Sequence, residues 1–290
     1  MGLGKSELIL NADQSIYHLN LVPEDLASTV ILVGDQDRVP RVSGFFDTVT
    51  LKKGKREFVT HTGTLAGKRI TVISTGIGAD NIDIVLNELD ALANIDFATR
   101  SAKKEITSLD IVRIGTSGAI QAEIPVDSFL LSEFAIGFDS LLHFYKNTGV
   151  QHPKIQEAFV AHSEWDNNKA VPYVVQCDTV LAQKMYSDKI LKGFTGTNIG
   201  FYGPQGRKLR LQAKEPDFNE TLASFSYEGM QITNLEMETS AIYCMSKLLG
   251  HRAVSMNCIL ANRSTGRFSE QPIEIMDSLI KYTLEKLTCS

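Results

Sequence analysis

Ile111-Val112-Arg113-Ile114-Gly115-Thr116-Ser117-Gly118-Ala119-Ile120 is an apolar run of strand type with one arginine inside it, followed by a stretch made almost wholly of Gly, Thr and Ser. A strand buried on both faces should read as continuous Val and Ile, so a guanidinium within it needs an anionic partner. The stretch after it reads as a loop at the carboxyl end of the strand, where open α/β sheets bind ligands. A structural ion pair and an anionic ligand satisfy Arg113 equally well. Two further junctions favour the ligand. Thr29 to Val33 is a short apolar strand ending in Gly34-Asp35-Gln36-Asp37-Arg38. Arg38 stands where a helix should begin, so its fork and the free helix N–H groups can face one anion. Arg69 to Ile73 runs into Ser74-Thr75-Gly76-Ile77-Gly78. Three such junctions predict a shared cleft at one end of a sheet.

Further strands are predicted at 48–52, 57–64, 128–134, 171–176 and 252–260 from β-branched content and flanking turn residues. Helical spacing of apolar residues predicts helices over 81–99, 236–249 and 272–287, the second stopped by Gly250. Their stripes are core faces. Strands alternating with helices give an α/β protein with a largely parallel sheet covered on both faces. The chain reads as one domain over 1–290, with residues 1–14 a flexible N-terminus. Residues 191–231 fit the alternation poorly and read as an irregular insertion over the cleft.

A net charge of −5 argues against a nucleic-acid surface. No apolar stretch approaches the roughly 20 residues a membrane span needs, and no hydrophobic signal core is seen at the N-terminus. Cys177, Cys244, Cys258 and Cys289 show no CxxC spacing, so reduced thiols in a cytoplasmic protein are expected. No cysteine–histidine cluster points to a transition metal. Gly4-Lys5-Ser6 imitates the end of a P-loop but lacks the preceding strand and glycine. Met1-Gly2 with Ser6 fits a loose myristoylation pattern that an ordinary N-terminus explains as well.

Four motifs occur in an order that resembles the nucleoside phosphorylase-I family: Gly34 to Arg38, Ser74 to Gly78, Arg113 to Ile120, and Glu236-Met237-Glu238. The chain is most similar to its uridine phosphorylase branch, from about residue 15 to the C-terminus. The resemblance implies a single-domain αβα sandwich with a mixed, largely parallel central sheet. It implies a pentosyltransferase that cleaves uridine with phosphate to uracil and ribose 1-phosphate, in pyrimidine salvage. Inorganic phosphate is then a co-substrate and no cofactor is expected. A homodimer, or a hexamer built from dimers, is expected as well.

Residue by residue, the resemblance assigns phosphate to Gly34, Arg38, Arg113 and Thr116, with Arg56 reaching in from a neighbouring subunit. By itself, Lys52-Lys53-Gly54-Lys55-Arg56 is a solvated turn. Glu238 should accept hydrogen bonds from the ribose 2′ and 3′ hydroxyls, and Met237 should pack beneath the sugar. Carboxylates in a first helical turn are also expected on dipole grounds alone. His18 matches a histidine that crosses a dimer interface to the 5′ hydroxyl. Phe201, Gln205 and Arg207 resemble the residues that read the pyrimidine. Phe201 supplies a stacking face, Gln205 complements N3–H and O2, and Arg207 stabilises the departing base. Arg113, Glu238, Arg207 and Gln205 are thus the expected catalytic group.

Some positions depart from the pattern. Arg263 stands where purine-cleaving relatives place an acid that protonates N7, which disfavours purines. Gln36 replaces a proline, Ser117 a threonine, and Asn81 a serine near a monovalent-cation region, so a cation site through Glu57 is doubtful. The alternatives are a phosphorylase acting on purine nucleosides or on thymidine and deoxyuridine, and a non-catalytic nucleoside-binding protein on the same scaffold.

Overall fold

The computed structural model of the chain describes residues 2–146 and 149–289. Thr29–Val33 forms strand β1, and all five of its residues are buried. Such a continuous β-branched run is what a strand covered on both faces requires. β2 (Thr48–Lys55), β3 (Phe58–Leu65) and β4 (Lys68–Ser74) follow as an antiparallel meander. The remaining long strands are β5 (Asp110–Ala119), β6 (Phe129–Gly137), β7 (Tyr173–Gln176), β8 (Ile190–Thr197), β9 (Met230–Glu236) and β10 (Arg252–Asn262).

Their order in the sheet is β9-β8-β6-β10-β5-β1-β4-β3-β2, with β7 beside β6. Parallel ladders join β10 to β5, β5 to β1 and β1 to β4, and also β6 to β8 and β8 to β9. β6 and β10 are antiparallel, so the sheet is mixed. β9 also pairs with the end of β5, through Asn234 with Ala119 and Leu235 with Gly118. Strands β5, β10, β6, β8 and β9 therefore form a closed circuit. That closure carries the end of β9 to the end of β5.

Helices α1 (Arg38–Ser43), α2 (Ala79–Asn94), α3 (Pro153–Ser163), α4 (Thr179–Met185), α5 (Phe218–Ser224), α6 (Thr239–Leu249) and α7 (Pro272–Thr288) flank the sheet. α2 packs on α6, and α4 on α7. The predicted stripe of α2 is the buried one: Ile82, Val85, Leu86, Leu89 and Leu92. The αβα sandwich expected from the sequence is the fold.

Four local readings need correction. Gly115 to Gly118 is strand, not loop, because β5 keeps its parallel ladder with β10 to Ala119. The region 191–231 is not irregular throughout. It begins inside β8, holds α5 and ends inside β9. β8 was obscured because packing demands glycine there: a Cβ at Gly193 would lie 2.5 Å from Cδ2 of Leu130. The helix read to residue 99 ends at Asn94, where the Asp96 carboxylate takes the N–H groups of Ala98 and Thr99 and a short hairpin begins. The helix read from Glu236 starts at Thr239, and Glu236 is the last residue of β9.

Residues 2–14, expected as a flexible N-terminus, lie against the domain. Leu8 is buried, and Arg100 donates to the carbonyls of Leu3, Gly4 and Leu8. Met1, part of the modification pattern, is outside the described residues. No helix among the described residues is long and apolar enough to cross a membrane.

Candidate active site

The carboxyl ends of β1, β4, β5 and β9 open on one cleft of about 650 Å³. Gly34, Arg38, Arg113, Thr116, Phe201, Gln205, Arg207, Met237 and Glu238 all line it. His18 and Arg56 do not. The walls also include Glu57, Ile77, Glu236, Leu260 and Phe268, to which the sequence reading gave no role in the substrate site.

Arg113 lies inside β5, and its side chain is 6% exposed. Its Nη2 is 2.5 Å from Oε2 of Glu238 and 3.1 Å from Oε2 of Glu236. Its Nη1 donates to Oδ1 of Asn257 at 2.9 Å. The guanidinium folds back over Gly115, where a Cβ would stand 1.9 Å from Nη1. Only glycine leaves that space. Burial opposes the positive charge, but the carboxylates of Glu236 and then Glu238 outweigh it and raise the Arg113 pKa. Of the two open readings of Arg113, the structure shows the internal ion pair, and the residue also forms part of the cleft wall.

Glu236 has a structural task that the sequence reading missed. Its carboxylate accepts the Thr197 hydroxyl at 2.6 Å and the backbone N–H groups of Glu238 and Thr239. A negative charge thus caps the N-terminus of α6, which complements the helix dipole. Its acidity was visible in the motif, but its partners required the pairing of β9 with both β8 and β5. Glu238 is then held between Arg113 and the N–H of Gly78, which donates to Oε1 at 2.9 Å. Burial raises the Glu238 pKa, Arg113 opposes that rise and Glu236 adds to it. Each Glu238 oxygen keeps lone-pair capacity for a hydroxyl.

Arg38 opens α1 and donates to the carbonyl of Ile114 at 3.2 Å. It has no carboxylate partner among the described residues. Burial, then repulsion from Arg113, lowers its pKa. A second negative group between these arginines would relieve both effects. The Thr116 hydroxyl, beside them, makes no hydrogen bond among the described residues.

The turn Gly203–Gln205 and its flanks bring Phe201, Gln205 and Arg207 to the same cleft. Cζ of Arg207 lies 3.6 Å from the centre of the Phe201 ring. Nη1 of Arg207 donates to Oε1 of Gln205 and to the carbonyl of Phe201, each at 2.6 Å. The three expected base readers therefore touch one another. Gln205 is 3% exposed, whereas Phe201 is half exposed. Burial, and then repulsion from Arg263, push the Arg207 pKa down to about 10. Arg263 runs along Gly118 and its Nη1 has no partner among the described residues.

His18 is half-buried, with Nδ1 2.7 Å from Oε1 of Glu88. Arg56 is exposed at the β2–β3 turn, with φ of 56°. Among the described residues no group of three or more His, Cys, Asp or Glu side chains is gathered for a metal ion.

Residues 28–282 match the model of the phosphorylase superfamily. A uridine phosphorylase of Thermococcus kodakarensis is 29% identical over 254 residues, 88% of this chain and 80% of that protein. A uridine phosphorylase of Haemophilus influenzae is 28% identical over 275 residues, 93% of each chain. Among solved structures, a nucleoside phosphorylase of Trypanosoma brucei, described as showing uridine phosphorylase activity, superposes with a TM-score of 0.87 at 29% identity. The match covers 98% of this chain and 100% of that one.

Proposed function

The chain belongs to the phosphorylase superfamily, and from that premise we propose that it is a uridine phosphorylase, a pentosyltransferase that converts uridine and phosphate to uracil and ribose 1-phosphate. One observation carries the reading. A single cleft is lined by two arginines, a held carboxylate and an aromatic–amide–arginine group.

In this reading phosphate sits between Arg38 and Arg113, against the backbone of Gly34 and the Thr116 hydroxyl. Those groups hold the nucleophile on one face of the ribose. A phosphate oxygen forms the bond to C1′ as the N-glycosidic bond breaks, and the bonding pair leaves with N1 of uracil. Glu238 accepts from the 2′ and 3′ hydroxyls, and its charge favours the positive character that grows on the sugar. Met237 packs beneath the ring. Phe201 stacks on the base and Gln205 orients it. Arg207 then meets the negative charge on the departing uracil until a proton reaches it from solvent. His18 and Arg56, absent from this chain's own cleft, complete the site of a second copy, so the working unit is at least a homodimer. We read the enzyme as cytoplasmic, a reading that the lack of CxxC spacing among its four cysteines supports.

The test is the fall in uridine absorbance with and without phosphate, with inosine and deoxyuridine in parallel. Phosphate-dependent loss of uridine is expected, with inosine far slower. Faster cleavage of inosine would overturn the base assignment, and phosphate-independent cleavage would overturn the phosphate assignment.

A further inference from the structure

Lys55 and Tyr17 lie 38 positions apart in sequence, yet they touch. Each immediately precedes a residue that stays outside this chain's own cleft, Arg56 and His18 in turn. Nζ of Lys55 donates to the Tyr17 carbonyl and, at 3.0 Å, to Oδ1 of Asn11, and it lies 4.1 Å from the centre of the Tyr17 ring. An ammonium offers three donors and a charge drawn to an aromatic face. Lys55 spends them on the turn that carries His18. It is half-buried, whereas Lys52 of the same strand is exposed. The run from Lys52 to Arg56 is therefore only partly the solvated turn its composition suggests.

Both turns are firmly built. In the first, Ile16, Leu19 and Leu21 are buried, and the N–H of Ile16 donates to the carbonyl of Leu21 at 2.8 Å. Glu88 of α2 accepts the N–H groups of His18 and Leu19 and meets Nδ1 of His18. Nε2 is then the ring nitrogen without a hydrogen bond among the described residues. In the second, Lys55 pairs with Phe58 across the two-residue turn that holds Arg56. Phe58 is 1% exposed and meets the His18 ring edge-on at 6.4 Å. Phe58 and Lys55 thus both join the Arg56 turn to the His18 turn.

We propose that Lys55 is a positioning residue that locks the two turns together, so that the groups for the 5′ hydroxyl and for phosphate enter a second copy's cleft as one unit; this rests on the reading of His18 and Arg56 as residues shared between copies. Two separately mobile turns would each lose freedom when substrate binds. A single rigid piece has already lost it.

The test compares uridine with 5′-deoxyuridine on the full-length protein, at several phosphate concentrations. Both nucleosides are neutral, so loss of a charge alone leaves their kcat/KM ratio in place, and a smaller folded fraction lowers both alike. Lys55→Met keeps the apolar stem and removes the donors. It should lower the preference for uridine toward that of His18→Ala, about tenfold below wild type. It should also raise the phosphate KM beyond the change seen in Lys52→Met, which removes the same charge from an exposed position. In a His18→Ala chain, Lys55→Met should lower the preference no further. A wild-type preference in Lys55→Met, or a further fall in the His18→Ala chain, would overturn the positioning role. A phosphate KM equal to that of Lys52→Met would overturn the single unit. If His18→Ala itself keeps the wild-type preference, the shared-site reading of His18 fails, and the role of Lys55 fails with it.

Discussion

Nη2 of Arg113 lies 2.5 Å from Oε2 of Glu238, which joins the expected phosphate and ribose sites through one buried ion pair. The two residues are 125 positions apart in sequence. They meet because β9 pairs with the end of β5. The pair fixes each side chain while leaving both in the cleft wall, so the cation assigned to phosphate and the carboxylate assigned to the sugar would hold a set geometry before substrate arrives. Such preorganisation is where much of the rate of a charge-separating reaction originates.

Replacing Arg113 with alanine should therefore damage two things at once. Loss of the contact to phosphate should lower turnover and raise the phosphate KM, at a cost of about 2–4 kcal/mol in transition-state stabilisation. Two buried carboxylates would also lose their cation, which should cost about 3–5 kcal/mol of folding stability. Urea unfolding and steady-state rates on the same preparation separate the two. An unchanged rate at low phosphate would remove Arg113 from the site.

Gly115→Ala tests the same geometry without touching a charge. A Cβ there would stand 1.9 Å from Nη1 of Arg113, so the guanidinium must move. The phosphate KM should rise toward that of Arg113→Ala. Wild-type kinetics in this variant would show that the guanidinium position seen here is not the working one.

Shared sites predict complementation. A chain carrying His18→Ala and Arg56→Ala keeps its own cleft, and one carrying Arg113→Ala and Glu238→Ala keeps the reaching residues. After equal mixing and subunit exchange, roughly a quarter of all sites should be intact. Proven exchange with no recovered activity would count against the assignment of His18 and Arg56.

Gln205 and Arg207 touch each other but should fail differently. Gln205→Ala leaves uracil groups unpaired in a buried site and should act mainly on the uridine KM. Arg207→Ala should depress turnover, because its contact strengthens as charge develops on the base. The loss should be smaller for 5-fluorouridine, whose base is a better leaving group. Equal slowing of both substrates, with chemistry rate-limiting, would end the leaving-group role.

A pH prediction follows from His61, which is 8% exposed and shares a 2.7 Å hydrogen bond with the Ser43 hydroxyl. Burial, and then the nearby Lys52 charge, lower its pKa from the usual 6.5. The unfolded chain thus binds this proton more readily than the folded one. The contribution to stability is full above 6.5 and is lost as pH falls through the lowered value. His152 is lowered too, by burial and then Lys247, and adds to the same slope. Urea midpoints should fall between neutral and mildly acidic pH, and His61→Gln should flatten that fall. An identical slope in the variant would exclude His61 as a source.

Much of the site was legible because its residues break local rules. Arg113 interrupts an apolar strand, Arg38 follows a strand-ending glycine, and both line the cleft. Gln205 and Arg207 were found only by their resemblance to a family segment, since their own sequence reads as a turn. Glu236 stood in plain view beside Glu238, yet its work as cap and counter-ion was missed. β8 was missed for a related reason: Gly193, Lys192 and Thr195 dilute its hydrophobic pattern, and the need for glycine comes from Leu130 on the neighbouring strand.

The sequence by itself determined the strands β1 and β4, the stripes of α2 and α7, and a cleft at the strand ends. These depend on contacts near in the chain or on a periodicity that burial imposes directly. Tertiary structure alone decided that β5 runs on through its glycines, that β9 closes a circuit onto it, and that Arg113 therefore shares a hydrogen-bonding shell with Glu236, Glu238 and Asn257. Strand partners are set by the summed packing of segments far apart in the chain, and no local window of sequence contains that sum.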